Sequence, residues 1–323
     1  MPGRAGLVSI IIVNWNTRDL LLDCLRSIRE GTTDVPYEIV VLDNASSDGS
    51  ADALRSMMGR EISPAPSGND GFPEIRLIAG EENLGFAAGN NRAFAESTGE
   101  FIAFLNPDTV VPPGAIRGMV DFLVEHPEVG FVGPRLVGAN GETQVSSFGL
   151  FPSPLEAAAH AFRIWRIAPR SGLAQRFCPA PRDDDTWVYT EHLLGACLVA
   201  RREMLDQIGL FDEGFFLFLE ETDLCYRAGQ AGWRTAYCTG VHVVHLGEQS
   251  MQKILHRTGG LYIRSYNRFC RKHGLGWARR AAVNMFLVAG IFAESLTGIV
   301  KWRSPRRAWS SLRALWYGYV ALP

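Results

Sequence analysis

EIVVLDNASSDGS, residues Glu38–Ser50, changes character once along its length. Ile39–Leu42 is an unbroken apolar run, the pattern of a strand buried on both faces. At Asp43 it gives way to short polar residues, and helical spacing begins at Ser50. A buried strand that passes through a polar loop into a helix is one unit of a parallel α/β sheet. The same unit recurs on both sides. Upstream, Val8–Val13 reads as a strand, and Leu20–Ile28 sets Leu21, Leu25 and Ile28 on one helical face. Downstream, a loop rich in Pro, Gly and Ser (Gly59–Pro73) leads to a short strand, Glu74–Ile78. A helix Ala87–Ser97, a strand Phe101–Leu105 and a helix Ala115–Glu125 follow. The alternation predicts a doubly wound, mostly parallel sheet flanked by helices.

The pattern loosens after Phe131. Val145–Thr190 carries several prolines, an aromatic-basic stretch (Ala161–Ile167) and an acidic run (Asp183–Asp185), and reads as a long excursion over the mouth of the site. Regular signals return as a strand at Leu193–Ala200 and a helix at Thr222–Ala231. With 323 residues, 47% of them apolar, the chain can bury one large domain and an appendage. No basic and apolar leader precedes Val8, so a cytosolic catalytic domain is expected. Six cysteines without a C-x-x-C pair argue against a zinc knuckle or a disulfide framework.

In open α/β sheets, ligands sit beyond the carboxyl ends of the strands. Asp43 stands at such an end, crowded by Asn44, Ser46, Ser47 and Asp48; these residues suit nucleoside recognition and equally suit Asx turns and helix caps. Asn83–Arg92 (NLGFAAGNNR) forms a second loop-to-helix junction, where Gly85 and Gly89 permit close approach. Asn106-Pro107-Asp108 ends a buried strand, and the proline fixes the backbone so that Asp108 is presented at the ligand edge. A hard divalent cation accepts such a carboxylate and retains several waters. Glu220, Glu221 and Asp223 follow the apolar run Phe215–Leu219. Apolar walls raise a carboxyl pKa, which suits a general base near neutral pH, although acids also simply decorate helix N-termini. His242 and His245 point to opposite faces if their stretch is extended, so one can face a cleft as an imidazole metal ligand.

Taken in order, SIIIVNWN (Ser9–Asn16), EIVVLDNASSDGS, NLGFAAGNNRA (Asn83–Ala93), FLNPDTVV (Phe104–Val111), the long segment Gly195–Trp233 and HVVHLGEQS (His242–Ser250) resemble family-2 inverting glycosyltransferases of the GT-A fold, particularly a bacterial rhamnosyltransferase-like branch. The resemblance spans about residues 7–270. It implies a Rossmann-like, mostly parallel sheet with a C-terminal helical appendage. Val13, Asn14, Asn16, Asp43, Asn44, Asp48, Gly85, Asn90 and Asn106 would lie on the nucleotide side. Asp108 takes the place of the last acid of the family's D-x-D motif, whose first acid is Asn106 here, and His245 would complete the shell of Mn²⁺ or Mg²⁺. Glu221 takes the place of the catalytic acid, with Glu220 and Asp223 as alternatives. The implied reaction moves a sugar, rhamnose from dTDP-rhamnose by preference, from a nucleotide-diphosphate donor to a hydroxyl of a glycan or polyprenyl-linked acceptor. The competing expectation is an inactive nucleotide-sugar-binding or scaffold protein.

The C-terminal part differs in charge. From Arg264 onward there are eleven Lys and Arg and one acid, Glu294, although the whole chain carries a formal charge of −2. Nucleic acid is not expected as the partner, because the tail has no recognisable nucleic-acid motif and is rich in Trp, Leu, Phe and Val. Ala281–Val300 would form a helix about 30 Å long, flanked by basic residues. The expectation is a catalytic domain at 1–270, with residues 145–190 as an acceptor-side lid, and a tail at 271–323 lying on the anionic inner face of the cell membrane. The alternative is a helical pair packed on the body or forming a homodimer interface.

Overall fold

The computed structural model describes residues 3–61, 75–144, 147–162, 186–247 and 255–300. The chain enters as β1 (Arg4–Asn14), α1 (Arg18–Gly31), β2 (Tyr37–Asp43), α2 (Ser50–Glu61), β3 (Ile75–Ala79), α3 (Gly85–Phe94) and β4 (Gly99–Leu105). Then come β5 (Thr109–Val110), α4 (Ala115–Glu125), β6 (Val129–Val137), β7 (Phe148–Gly149) and α5 (Pro154–Phe162). The remainder comprises β8 (Trp187–Thr190), β9 (His192–Leu193), β10 (Cys197–Arg201), α6 (Arg202–Ile208), α7 (Glu220–Gln230), β11 (Arg234–His245), α8 (Leu255–Lys272) and α9 (Trp277–Val300).

The main sheet runs β3-β2-β1-β4-β10-β6-β11-β5, with β8 added beside β11; β7 and β9 form a separate pair. β1 pairs in parallel with β2 and β4, and β2 with β3, so the first half is the expected parallel sheet. β10 runs antiparallel between β4 and β6, which makes the sheet mixed. Alternation along β1 explains its unbroken apolar run: Ile10 and Ile12 join the core beneath α1, α2 and α4, while Ile11 joins the core under α3, α6 and α7. Each such fully buried aliphatic side chain contributes about 1.5–3 kcal/mol.

Several expected boundaries move. Leu193–Ala200 is not one strand: it breaks between β9 and β10, and Leu194–Ala196 turns at the edge of a cleft. The helix expected from Thr222 begins at Glu220, so all three acids fall in its first turn. The excursion Val145–Thr190 contains β7, α5 and β8, and its residues 163–185 lie outside the described residues. α8 and α9 close a third apolar cluster, in which Phe215, Leu219, Tyr266, Phe269 and Val283 are buried. Among the described residues no helix is long and apolar enough to cross a membrane; Trp302 and the aromatic residues beyond it lie outside them.

Candidate active site

Parallel β1, β2 and β4 present their carboxyl ends along one edge of the sheet, and a cleft of about 760 Å³ opens there. Val13 and Trp15 at the end of β1, Asn44 beyond β2 and Asn106-Pro107-Asp108 beyond β4 form its floor. Glu220 and Glu221 enter from the start of α7, and His245 from the end of β11. A second hollow between α1 and α2 is lined by Arg26, Arg29 and Glu30 and brings none of these groups together.

Asp108 meets His245 because β5 pairs antiparallel with the last residues of β11, setting His245 opposite Thr109. The main chain locks the junction, with Leu246 N donating to Asp108 O at 2.9 Å. Both side chains are buried, and His245 Nε2 lies 3.5 Å from Asp108 Oδ1. Asn106 N donates to Ala196 O at 2.9 Å, tying the same loop to the turn before β10.

The two glutamates follow a strained approach. Phe218 and Leu219 both adopt left-handed backbone, with φ of 71° and 62°. Asn16 and Ala45, the other non-glycine residues with positive φ among those described, adjoin the cleft residues Trp15 and Asn44. Strain of this kind, about 1–3 kcal/mol per residue, persists where surrounding contacts over-determine it. Here Phe216 O accepts a bond from Phe86 N at 2.9 Å. Gly85, with φ of +81°, makes that contact sterically feasible, since a Cβ there would sit 2.5 Å from Phe216 O.

Burial pushes the Glu221 carboxyl up to about 7, opposed by hydrogen bonds from its own and Thr222's backbone N–H. Burial, reinforced by the charge of Glu221, raises Glu220 well above the usual carboxylate range. Glu220 Oε2 is buried with no hydrogen-bond partner among the described residues. An unpaired buried oxygen is far cheaper on a neutral acid than on an anion.

The other candidates fall around this centre. Asn14 and Asp43 are buried just behind the floor, where Asn14 Nδ2 donates to Asp43 Oδ1 at 2.8 Å and Ser46 N donates to Asp43 Oδ2 at 3.1 Å. Asn44 holds the Asn83–Gly85 loop: it accepts from Leu84 N at 2.8 Å and donates to Gly85 O at 3.1 Å. Asn16 Oδ1 accepts from Ser47 N at 2.7 Å. Asp48 accepts from the backbone of Arg18 at 2.9 Å and of Ser50 at 3.1 Å, so its carboxylate caps the starts of α1 and α2. Asn90 is buried inside α3 and donates to Phe86 O at 2.9 Å, away from the cleft lining.

Asp223 is also placed elsewhere. Two residues on from Glu221, about 200° round the helix, it enters a sealed ion cluster, with Arg227 at 2.9 Å, Lys272 at 2.8 Å and His273 at 2.8 Å. A carboxylate with no exposed surface, bonded to Arg227, Lys272 and His273, is not positioned to meet a substrate hydroxyl. Several lining residues had no sequence signal of their own. Trp15 sits between two asparagines, Gln144 lies in a plain turn, and Gly195 was read as mid-strand, though Glu221 Cγ packs 3.6 Å from where its Cβ would be.

Residues 9–207 match the sequence profile of glycosyl transferase family 2. The chain is 29% identical over 231 residues to an N-acetylglucosaminyl-diphospho-decaprenol L-rhamnosyltransferase of Mycobacterium tuberculosis, covering 66% of this chain and 67% of that protein. Its fold is similar to that of the mannosyltransferase PcManGT of Pyrobaculum calidifontis, solved with GDP-Man and Mn²⁺; the TM-score is 0.55 at 18% identity, covering all of this chain and 77% of the other. It is also similar to S. aureus TarS solved with UDP, with a TM-score of 0.51 at 15% identity, covering 90% of this chain and 74% of the other. At these identities the structural likeness speaks for the fold, which is GT-A.

Proposed function

Because the chain belongs to glycosyl transferase family 2, we propose that it is an inverting hexosyltransferase acting from a nucleotide-diphosphate sugar onto a hydroxyl of a lipid-linked or cell-wall glycan. The observation that carries this reading is the convergence on one cleft of a carboxyl tuned to about 7, Glu221, and a buried carboxylate–imidazole pair, Asp108 and His245. Glu221 takes the proton of the acceptor hydroxyl. The hydroxyl oxygen attacks the anomeric carbon from the face opposite the diphosphate, and the bond from that carbon to the leaving oxygen breaks with its electron pair. Glu220, whose buried Oε2 lacks a partner among the described residues, forms the wall beside the base.

Asp108 Oδ1 and His245 Nε2 are an oxygen and an imidazole donor that suit Mn²⁺, or with waters Mg²⁺. No group of three acidic, His or Cys side chains able to hold a metal occurs among the described residues. Two protein ligands leave coordination positions for diphosphate oxygens and water, so the donor set fits such an ion. When bound, the cation would neutralise charge on the departing diphosphate. The nucleoside would lie toward Val13, Asn44 and the Asn14–Asp43 pair.

Rhamnose from dTDP-rhamnose is the preferred donor; the mycobacterial relative, an L-rhamnosyltransferase whose own acceptor is decaprenol-linked, supports the sugar. The half-buried Leu217, Phe218 and Leu261 give the cleft an apolar rim suited to an acceptor on a polyprenyl carrier. Residues 1–270 would form the catalytic domain, and the basic tail would seat it on the inner membrane surface, with no dimer required. The test is release of nucleoside diphosphate from a panel of nucleotide sugars, with and without Mn²⁺ and acceptor. Metal- and acceptor-dependent release from dTDP-rhamnose is expected. Binding of nucleotide sugar with no turnover on any acceptor would favour the inactive binding protein instead.

A further inference from the structure

Gln144 closes a short turn after β6, about a hundred residues from His245 in sequence. Its main chain is held at both ends: Gln144 N donates to Leu136 O at 2.8 Å, and Gln144 O accepts from Ser147 Oγ at 2.6 Å and Ser147 N at 3.2 Å. A bridge between Val137 and Thr143 shuts the turn behind it. So held, the carboxamide reaches residue 245 with both of its ends. Gln144 Nε2 donates to His245 O at 2.8 Å, and Gln144 Oε1 lies 2.8 Å from His245 Nδ1.

The first contact decides the second. A backbone carbonyl only accepts, so the carboxamide atom against His245 O is the NH₂. The atom facing Nδ1 is then the carbonyl oxygen, which also only accepts, so Nδ1 must carry a hydrogen. In the neutral imidazole this leaves the lone pair on Nε2, which looks toward Asp108 Oδ1 across 3.5 Å. A lone pair and a carboxylate facing each other without a hydrogen between them repel until a cation lies there. Were Nδ1 free to give up its hydrogen, the ring could place it on Nε2 and donate it to Asp108, and imidazole and carboxylate would satisfy each other as donor and acceptor.

We propose that Gln144 is a positioning residue that fixes the tautomer of His245, keeping Nε2 available as the nitrogen donor for a divalent cation. This rests on the metal reading given above. Hydrogen-bonding partners of metal-ligating histidines are worth roughly 10–100-fold in metal affinity.

The experiment uses the full chain labelled with ¹⁵N-histidine, His245 being assigned by the signals lost in His245→Ala. Long-range ¹H–¹⁵N correlations, recorded without metal and with the ring neutral, report which nitrogen is protonated. The unchanged chain is expected to show Nδ1–H, Gln144→Leu to show Nε2–H, and Gln144→Glu, whose carboxylate still accepts from Nδ1, to show Nδ1–H again. Mn²⁺ affinity, read from the electron paramagnetic resonance of free Mn²⁺, should fall by about 10-fold or more in Gln144→Leu and by only a few-fold in Gln144→Glu. In a His245→Ala background, Gln144→Leu should cost nothing further. Nε2–H in the unchanged chain, or Nδ1–H retained in a folded Gln144→Leu, overturns the proposal. The expected tautomers with no Mn²⁺ binding by the unchanged chain overturn the metal reading instead and leave the tautomer assignment standing.

Discussion

Glu220 and Glu221 are chain neighbours with unequal surroundings, and the difference is what the proposed transfer uses. Glu221, held at about 7, ionises near neutral pH, whereas burial and the charge of Glu221 raise Glu220 well above the usual carboxylate range. A base must be deprotonated to work, so the transfer rate should rise with pH and reach half its plateau near 7; a pH–rate profile on saturating donor checks this. Glu221→Gln should lower kcat by roughly 100-fold or more while donor binding persists. Glu220→Gln, which keeps the shape of the side chain that does not act as base in this proposal, should keep most of the rate. Stability carries the opposite sign. The folded state raises the pKa of Glu221 above its unfolded value of about 4.3, so its favourable contribution is present below that value and is lost as pH rises through about 7. Glu221→Gln should therefore melt at least ~2 °C above the unchanged chain at pH 8 and show little gain at pH 4; equal melting at pH 8 would deny the buried charge. The acids themselves were legible in sequence because they follow the apolar run Phe215–Leu219. Their division of labour was not, because it depends on the Phe216–Phe86 contact and on the turn at Gly195, both distant in the chain.

At the scale of elements, α7 is fixed from behind by α8. Asp223 on α7 and Asp212 just before it are clasped by Lys272, and Arg268 adds a second bond to Asp212 at 2.7 Å. Breaking a buried ion pair by removing one partner costs about 3–5 kcal/mol, so Asp223→Ala should lose stability on that scale in chemical denaturation. Because Asp223 does not meet the cleft, the pH midpoint of any remaining transfer should stay near that of the unchanged chain. Asp212 is held at about 2: burial opposes this, and Lys272, the Gly214 backbone N–H and Arg268 overcome it. Its contribution is fully present above the unfolded value of about 3.9 and is lost as pH falls through about 2. Asp212→Asn should therefore flatten the fall of Tm with pH in that acid window. The early βα units were readable because strands buried on both faces carry continuous apolar runs. β10 was not, since a continuous run gives no direction, and the turn that reverses the chain is hidden inside LLGAC. Three acids at one helix start look alike in sequence, and what separates Asp223 from its neighbours is a pair of partners, Lys272 and His273, about fifty residues further on.

For the whole molecule, the question is what the last described helix faces. One side of α9 is committed inward: Val283 is buried against α8, and Phe286 and Leu287 pack on the same cluster. The other side carries Trp277, Met285 and Phe292, which are 79%, 59% and 54% exposed. At about 100° per residue these three fall within roughly 80° of arc, a stripe separate from the inward one. A helix apolar on both sides needs a second apolar environment, and the cationic composition from Arg264 onward favours an anionic lipid surface, where each Lys or Arg adds about 1 kcal/mol. The inward face also sets where the chain can be cut: removal after about residue 275 would strip Val283 from the third core and should destabilise the body, whereas a cut after Val300 leaves that packing intact. The full chain should sediment with vesicles containing anionic lipid, and less so as salt rises. Joint substitution Trp277→Asp, Met285→Asp and Phe292→Asp should abolish sedimentation, while transfer to a water-soluble acceptor continues at its former rate, because none of the three touches the cleft. A full chain that stays in solution with anionic vesicles at low salt would leave the stripe to a protein partner and remove the membrane from the account.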